Sequence, residues 1–354
     1  MICFIWDGFP QYAARCVGAF ARSTDEPVTV VATRPAVPVS GMEAACGGSV
    51  HWVEPGDVRP LREIVGEMPR AAVVSGWFPP VFNRWRDEVR AHGGRVVAMC
   101  DNNWTGHSLR MWARSIRFRL LLRGKFDGYF VPGASGVRFM RFCGVRPERI
   151  ATGVYAADSA VFHDGAPLAA RAKRVVFVGQ FILRKNVLRL VEAFARTGVR
   201  GWSLDLYGAG PLKGELVARA DAFNARLADA GSHIGVNDFV QPEELAEIYR
   251  TARVFCLPST EEHWGLVAHE AALSGCVLLL GNSVGAAADL LAAGLNGRTF
   301  DPADGEELTR ALKWAMAMET SALDSAHAES LRMAQNASIE KFVDGVSKLV
   351  GGGA

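Results

Sequence analysis

Residues 254–270 read VFCLPSTEEHWGLVAHE, a stretch that opens with an apolar, strand-like run and continues into a helical pattern. The helical pattern begins at Leu266 and stops at Gly275. Glu262 lies in the connecting loop, and Glu270 lies one turn inside the helix. A helix start attracts anions, because its first N–H groups have no partners and the helix dipole is positive there. Carboxylates beside such a start suit sugar hydroxyls, so the stretch predicts a site that holds a nucleotide diphosphate together with its sugar.

The composition is that of a globular protein with two domains. The chain has 354 residues, of which 49% are hydrophobic and 21% are charged, enough for two cores. The formal net charge of +2 is close to neutral, so the bulk charge implies no nucleic-acid partner. Seven scattered cysteines form no Cys-x-x-Cys pair, which favours reduced, buried thiols in a cytosolic protein. No apolar run is long enough to span a membrane, and the first residues read as a core strand rather than a signal peptide.

Apolar runs that are typical of strands alternate with helical patterns along almost the whole chain. The predicted strands are 2–6, 28–32, 71–75, 96–99, 128–131, 174–178, 203–207, 254–257 and 277–280. The predicted helices are one after Pro10 and those at 61–67, 81–92, 109–123, 134–143, 187–195, 212–228, 242–251, 266–274, 286–293, 305–318 and 334–350. Short apolar strands with crossover helices indicate parallel sheets covered on both faces. A stretch rich in Ala, Gly and Pro, 158–173, predicts the boundary between an N-terminal domain, 1–165, and a C-terminal domain, 166–333.

The two glutamates and their surroundings resemble the signature of a known enzyme family. Glu262 and Glu270 are separated by seven residues, with Gly-Leu-Val inside this interval, Pro-Ser before it and a Gly-Cys-Val strand after it. In these features the chain resembles the GT4-type retaining glycosyltransferases of GT-B fold, also called glycosyl transferases group 1. The spacing alone is a weak signal, whereas the flanking residues and further matches along the chain make the resemblance specific.

The resemblance implies an α/β fold of GT-B type, with two facing Rossmann-like domains, parallel sheets and an interdomain cleft. The N-terminal domain would bind the acceptor and the C-terminal domain the nucleotide sugar, with the helix 334–350 packing back on the N-terminal domain. The implied enzyme is a hexosyltransferase that moves a sugar from a UDP- or GDP-linked donor to a hydroxyl of a saccharide or lipid-linked saccharide, with retention. A role in polysaccharide biosynthesis is associated with the family.

The predicted C-terminal domain carries two cations between its first strand and first helix. Arg184 and Lys185 precede the helix 187–195, where a positive helix end and two charges suit a diphosphate. By resemblance both residues bind the donor, and Lys185 is also a catalytic candidate. An isolated Arg-Lys pair is more often a solvated basic turn, but here the following helix matches the family pattern. The family usually has Arg where this chain has Gln180, so Arg184 is expected to replace that charge in part.

Further donor residues follow from the resemblance. Glu262 would hold the transferred sugar near its reacting carbon, as a catalytic and donor-binding residue, and Glu270 would bind the ribose hydroxyls. For Glu262 the alternative is a carboxylate at a helix start that the dipole alone favours. Gly208 and Gly210 would let the backbone approach the nucleotide, although a tight strand-to-helix turn explains Gly210 equally well. The remaining donor-binding candidates are Phe239, Val240, Gln241, His263, Trp264, Gly265, Leu266 and Val267.

The acceptor side is expected at the ends of strands in the N-terminal domain. Gly8 follows the first strand as a close-approach residue, and Trp77 and Phe78 follow the strand 71–75. An aromatic face suits sugar stacking, and a plain core role for Trp77 is equally consistent with the sequence. Many relatives carry a catalytic His in the next loop, where this chain has Asp101 and Asn103. Asp101 is therefore the catalytic candidate on this side, and Asn103 is an acceptor-binding candidate.

Residues 108–125 form a basic amphipathic pattern. Six Arg and Lys residues occur there without any acid, interleaved with Trp112, Ile116, Leu120 and Leu121. One interpretation is a helix that lies on a membrane surface and serves a lipid-linked acceptor, which would make the protein cytoplasmic and peripheral at the inner face. The other is a core-facing helix with a solvated basic face.

No cofactor and no metal are expected, because the nucleotide sugar is a substrate and the chain has no Asp-x-Asp motif and no Cys/His cluster of zinc spacing. Two alternatives to a glycosyltransferase stay open. The same fold serves nucleotide-sugar epimerases and hydrolases, and a chain of this kind could also be a non-catalytic subunit that only binds a nucleotide sugar. The sugar, the nucleotide, the acceptor and the oligomeric state are left open by the sequence.

Overall fold

The computed structural model describes residues 1–35, 41–77, 79–104, 106–227 and 231–351, so Phe78 lies outside the described residues. The chain forms two compact units. The first contains Met1–Ala156 and the chain from Ala337 onward, and the second contains Ala157–Asn336. The sequence placed the boundary after residue 165, whereas residues 157–165 belong to the second unit in the structure.

The first unit is built on a seven-stranded sheet whose neighbouring strands are all parallel. Its strands are β1 Ile2–Trp6, β2 Val28–Ala32, β3 Ser49–Trp52, β4 Ala71–Ser75, β5 Arg95–Met99, β6 Gly128–Val131 and β7 Ile150–Thr152. Its helices include α1 Gln11–Arg22, α2 Met42–Cys46, α3 Leu61–Val65, α4 Pro80–Ala91, α5 Leu109–Leu121 and α6 Ala134–Phe142. The strand order is β3-β2-β1-β4-β5-β6-β7. From β1 the chain adds β2 and β3 toward one edge of the sheet, and from β4 it adds strands toward the other edge, so the topological switch point lies between β1 and β4. Sheets of this topology bind ligands at the carboxyl ends of the strands, next to such a switch point.

Both faces of this sheet are covered by apolar layers, as the near-continuous apolar strands predict. Along β1, Phe4 and Trp6 belong to one layer and Cys3 and Ile5 to the other, as expected for side chains that alternate between faces. All five residues of β1 are buried.

The second unit has a six-stranded sheet, again with parallel neighbours throughout. Its strands are β8 Ala172–Val178, β9 Ser203–Tyr207, β10 His233–Asn237, β11 Ala252–Leu257, β12 Val277–Gly281 and β13 Gly297–Phe300. Its helices are α7 Val187–Thr197, α8 Lys213–Leu227, α9 Pro242–Thr251, α10 Leu266–Leu273, α11 Ala287–Leu290, α12 Gly305–Met316 and α13 Thr320–Ala334. The order β10-β9-β8-β11-β12-β13 is the doubly wound order of nucleotide-binding domains, with its switch point between β8 and β11.

The last helix, α14 Ile339–Gly351, returns to the first unit. The stretch that the sequence assigned to one helix, 334–350, starts at the last residue of α13 and continues, after a break, as α14. Phe342 of α14 stacks on Phe4 at 6.2 Å between ring centroids and meets Phe130 edge-on at 5.3 Å. The chain end thus completes the core of the unit in which the chain begins.

One buried histidine connects both ends of the second unit to α10. The imidazole of His269 is fully buried, and its Nδ1 accepts a hydrogen bond of 3.0 Å from the Ala157 N–H. Nε2 therefore carries the proton and donates to the carbonyl of Ala334, also at 3.0 Å. The first residue of the unit and the end of α13 are fixed to the helix that carries Glu270.

All seven cysteines are buried and free of disulfides. Within the described residues, no helix combines the length and the apolar character that crossing a bilayer requires.

Candidate active site

The loops that follow β8 and β11 meet at the switch point of the second unit and are hydrogen-bonded to each other. The Thr260 N–H donates to the Arg184 carbonyl at 2.8 Å, and the Arg184 guanidinium donates to the Glu261 carbonyl at 3.2 Å. Between these bonds the two loops hold Lys185 and Glu262 side by side. The two residues are 77 positions apart in the sequence, and parallel neighbouring strands bring them together.

Lys185 and Glu262 form an ion pair in which both side chains are largely buried. The side chain of Lys185 is 10% exposed and that of Glu262 is 13% exposed. The same Glu262 oxygen, Oε2, accepts a hydrogen bond from the hydroxyl of the buried Ser259 at 3.3 Å. A carboxylate and an ammonium in this position are preorganised, because neither must find its place when a ligand arrives.

The start of α10 adds unpartnered N–H groups to this ion pair. Gly265, at φ +97°, turns the chain into the helix, and a side chain there would contact Leu257 and Val284. The Ala268 N–H already donates to the Gly265 carbonyl. No hydrogen-bond partner is found within the described part of the chain for the N–H groups of Leu266 and Val267. Both residues are half-buried, so the helix start offers two donors to an anion.

Glu270 lies one turn further into α10 and is buried. Burial raises the pKa of its carboxyl to about 7, and a hydrogen bond of 3.4 Å from the Tyr249 hydroxyl opposes this rise. A carboxylic group that is desolvated at this depth gains free energy when hydroxyl groups donate to its charged form.

The two glycines after β9 are required by the protein backbone itself. A Cβ on Gly208 would lie 1.9 Å from the carbonyl oxygen of Gly179, and one on Gly210 would lie 2.6 Å from that of Phe181. The loops after β8 and β9 are in direct contact here, and the Phe181 N–H donates to the Ala209 carbonyl at 2.8 Å. The interpretation as a tight turn accounts for both glycines without a ligand.

The other predicted donor residues differ in exposure. Phe239 and Gln241 are exposed and Val240 is half-buried, all between β10 and α9. His263 is exposed, whereas Trp264 is 3% exposed and its carbonyl accepts a hydrogen bond from the Ala286 N–H. The indole of Trp264 therefore offers almost no surface to a ligand in this structure.

The first unit contains a cavity of about 250 Å³ at the carboxyl ends of β1, β4 and β5, beside its switch point. Two predicted residues, Asp101 and Trp77, line it. Asp101 accepts a hydrogen bond from the Tyr155 hydroxyl at 3.2 Å. The Trp77 ring also packs against Phe118 at 5.8 Å, so it has both a core contact and a cavity-facing role.

Gly8 and Asn103 do not line this cavity. Gly8, at φ +60°, borders a neighbouring cavity of about 430 Å³, and the wall near the end of β5 is formed by Asn102 rather than by Asn103. A left-handed φ of this kind favours glycine whether or not a ligand approaches.

A polar cluster at this cavity was missed by sequence reasoning. Asp7 follows β1, and its backbone N–H donates a hydrogen bond of 2.8 Å to the hydroxyl oxygen of Ser75, the last residue of β4. The Asp7 carboxylate accepts a hydrogen bond from Thr33 at 2.7 Å, and the Thr33 hydroxyl accepts one from the Gly8 N–H at 2.7 Å. The sequence does contain a signal for this cluster, because Asp7, Thr33 and Ser75 lie at or directly after the ends of three neighbouring strands.

Within the described ranges, no three His, Cys, Asp or Glu side chains are grouped closely enough to hold a metal ion.

Comparison with known proteins places the chain in a family. Residues 161–338, half of the chain, match the sequence model of the family described as Glycosyl transferases group 1. The fold is that of an α/β protein with two Rossmann-like domains, and the chain belongs to the glycosyl transferases group 1 family.

Individual relatives agree with this assignment. The chain is 30% identical over 225 residues to the D-inositol 3-phosphate glycosyltransferase of Rhodococcus opacus (strain B4). The aligned region covers 59% of this chain and 49% of that protein. It thus spans about half the length of the curated relatives it matches. HepE of Anabaena in complex with UDP has a TM-score of 0.76 at 15% identity, with 99% of both chains covered. The same protein in complex with UDP-glucose has a TM-score of 0.71, again at 15% identity and 99% coverage of both chains. These similarities show the GT-B fold, with its two Rossmann-like domains.

Proposed function

We propose that this protein transfers a sugar from a UDP- or GDP-linked donor to a hydroxyl group of a saccharide or lipid-linked saccharide. The observation that carries the proposal is the buried Lys185–Glu262 pair beside the unpartnered N–H groups at the start of α10. Positive groups for a diphosphate and a carboxylate for a sugar are thereby held within one site. Family membership and the UDP and UDP-glucose complexes of HepE support a nucleotide sugar as the donor.

In the proposed reaction, the bond between the anomeric carbon and the diphosphate breaks while the acceptor oxygen bonds to that carbon. Lys185, Arg184 and the N–H groups of Leu266 and Val267 stabilise the negative charge that develops on the leaving diphosphate. Glu262 accepts hydrogen bonds from the sugar and favours the positive charge near the anomeric carbon. The departing diphosphate takes the proton of the acceptor hydroxyl on the same face, which gives retention. These fixed charges and dipoles perform the role of a metal ion, so the reaction proceeds without one.

Two further residues have proposed roles. Glu270 binds the ribose hydroxyls, because its buried carboxyl is oriented by Tyr249 and lies one turn from the helix start. Asp101 lies in the cavity of the first unit and accepts a hydrogen bond from the acceptor. The buried cysteines, none of which forms a disulfide, agree with a cytoplasmic location.

The first experiment is a thermal-shift panel with UDP, GDP, ADP and dTDP in the presence of EDTA. A nucleotide that binds the folded state raises the melting temperature by mass action. We expect one nucleotide to stabilise the wild type and to lose most of its effect on Lys185→Ala. The matched control is Lys313→Ala, an exposed lysine of α12 in the same unit, which should keep the full shift. No shift with any nucleotide in a folded sample contradicts the donor site.

A second experiment separates the sugar from the nucleotide. Glu262→Gln should leave the affinity for UDP within about twofold and weaken UDP-glucose by about tenfold, the loss expected for one charged hydrogen bond. Donor turnover is then measured with and without saccharide acceptors, and the anomeric configuration of the product is read by NMR. Turnover that does not need an acceptor would indicate an epimerase or hydrolase, and tight binding without any turnover a non-catalytic subunit.

We also propose that α5 contacts a membrane surface. Only Met111, Ser115 and Phe118 of this helix are buried, at the spacing of a single narrow stripe. Another face exposes apolar side chains three to four residues apart. These are Leu109, Trp112, Ile116 and Leu120. Arginines flank this face, as in helices that lie on anionic bilayers.

The membrane contact is tested by vesicle co-sedimentation. Wild-type protein should bind phosphatidylglycerol vesicles more strongly than phosphatidylcholine vesicles. Leu120→Glu should weaken binding, and Val58→Glu should not, although the two residues are equally exposed at 78% and 79% in the same unit. Equal binding of the two variants to phosphatidylglycerol vesicles would contradict a membrane contact through α5.

A further inference from the structure

A second cavity in the first unit, of about 350 Å³, lies along one flank of α5. Its apolar wall consists of Phe118, Leu121, Leu122 and Phe139, and Arg114 and Arg117 stand beside that wall. The volume lies within the range of small-molecule sites, about 300–1,000 Å³. The cavity is thus large enough for part of a ligand and combines one apolar side with one cationic side.

The two arginines have no acidic counterpart on their own helix. Between Leu109 and Leu121 there is no Asp or Glu. Arg114 is fixed by a hydrogen bond of 2.7 Å to the side-chain oxygen of Asn102, and its guanidinium lies 5.8 Å from the Phe139 ring centroid. Arg117 is exposed, and no hydrogen bond or ion pair is found for it within the described ranges. A guanidinium fork binds phosphate oxygens in pairs, so the cationic side fits a phosphate group.

This cavity shares two lining residues with the one that contains Asp101. Trp77 and Asn102 belong to the walls of both. The two cavities are therefore neighbours, and a ligand with its sugar next to Asp101 and a substituent that extends past Trp77 and Asn102 would place that substituent beside Arg114 and Arg117.

We infer that the acceptor is a sugar joined through a phosphate to a hydrocarbon chain, and that the cavity of Arg117 and Leu121 binds the phosphate and the first part of the chain. This inference rests on the proposed function and specifies its acceptor. It assigns different tasks to adjacent side chains of α5: Leu121 contacts the acceptor chain, whereas Leu120 lies on the exposed apolar face.

The test measures binding by isothermal titration calorimetry, without nucleotide and without vesicles. The probes are farnesyl phosphate below its aggregation concentration, farnesol and inorganic phosphate. We expect farnesyl phosphate to bind at least about tenfold more tightly than either partial probe, because only it reaches both sides of the cavity. Equal affinity for farnesyl phosphate and farnesol, or for farnesyl phosphate and inorganic phosphate, would overturn the inference.

The structure offers a matched control for each side of the cavity. Arg117→Gln and Leu121→Gln should each weaken farnesyl phosphate by about tenfold. Arg110→Gln and Leu120→Gln change the same helix outside the cavity and should leave the affinity within about twofold, the spread of neutral surface changes. An equal loss in the controls would contradict the site. Because no nucleotide is present, failure here leaves nucleotide binding by the second unit intact, and failure of nucleotide binding leaves this result unchanged.

Discussion

At the scale of single residues, Lys185 and Glu262 neutralise each other in the unliganded protein. A largely buried ion pair contributes little net stability, because both charges lose their hydration. Removing one partner, in contrast, leaves an uncompensated charge in a poorly hydrated place. A pair in such a position agrees with the proposed site, in which Lys185 binds a diphosphate and Glu262 binds a sugar.

We predict that Lys185→Met and Glu262→Gln each lower the free energy of unfolding by up to about 3 kcal/mol. The double variant should lose clearly less than the sum, since it leaves no unpaired charge. Chemical denaturation of the four proteins measures this cycle. Strict additivity of the two losses would contradict a direct pair, and the exposed pair Arg196–Glu306 provides a control cycle with an expected coupling near zero.

The raised pKa of Glu270 predicts that the free energy of unfolding depends on pH. Its pKa is raised from the ordinary value of 4.5 to about 7. Between these values the folded state binds more protons than the unfolded state, so the stability falls as the pH rises from about 4.5 to 7. Glu270→Gln cannot ionise and avoids this loss. We expect the variant to match the wild type near pH 4 and to exceed it by up to about 3 kcal/mol at pH 8, without nucleotide.

Denaturant midpoints measured from pH 4 to pH 8 test this prediction. Glu247→Gln, which removes an exposed carboxylate of α9, is the control and should follow the wild type throughout. Parallel curves for Glu270→Gln and the wild type would show that the carboxyl of Glu270 titrates normally.

At the scale of elements, the loop after β9 is determined by backbone contact. Gly208→Ala would place a methyl group against the Gly179 carbonyl, and we expect a loss of about 1–3 kcal/mol from this overpacking. Gly214→Ala, in α8, meets no atom within 4 Å and should be neutral or stabilising by up to about 1 kcal/mol. Thermal denaturation distinguishes the two, and similar melting temperatures would contradict the close contact.

Element prediction from sequence succeeded for sheet centres and failed at sheet edges. All nine predicted strands are present in the structure, whereas β3, β7, β10 and β13 were missed. These four are the two edge strands of each sheet. A central strand of a parallel sheet is buried on both faces and therefore reads as an apolar run, as in β12. An edge strand such as β3, with the sequence SVHW and no fully buried residue, lacks that run.

At the scale of the whole molecule, the end of the chain stabilises the unit that contains its beginning. Phe342 is fully buried between Phe4 and Phe130, although α14 follows the complete second unit in the sequence. We expect Phe342→Ala to destabilise the first unit by about 3–5 kcal/mol, the cost of an aromatic cavity. Hydrogen exchange should then show faster exchange in β1 and β6 and unchanged exchange in β11 and β12.

The control for this prediction is Phe239→Ala, which truncates an exposed phenylalanine of the second unit. It should alter exchange in neither sheet. Equal increases in exchange in both sheets of Phe342→Ala would show that the two units unfold together. That result would contradict the prediction that α14 stabilises the first unit alone.

The sequence by itself determined the fold class and the family, and it located the motif around Glu262 and Glu270 on which the proposed donor site rests. This motif is local, because its strand, loop and helix start lie within one short stretch of chain. Only the tertiary structure decided that Lys185 pairs with Glu262 and that Asp7 meets Ser75, 68 residues away. The physical reason is that parallel strands align their carboxyl ends in an order unrelated to their order in the chain. Contacts made across that edge leave no periodic pattern in the sequence.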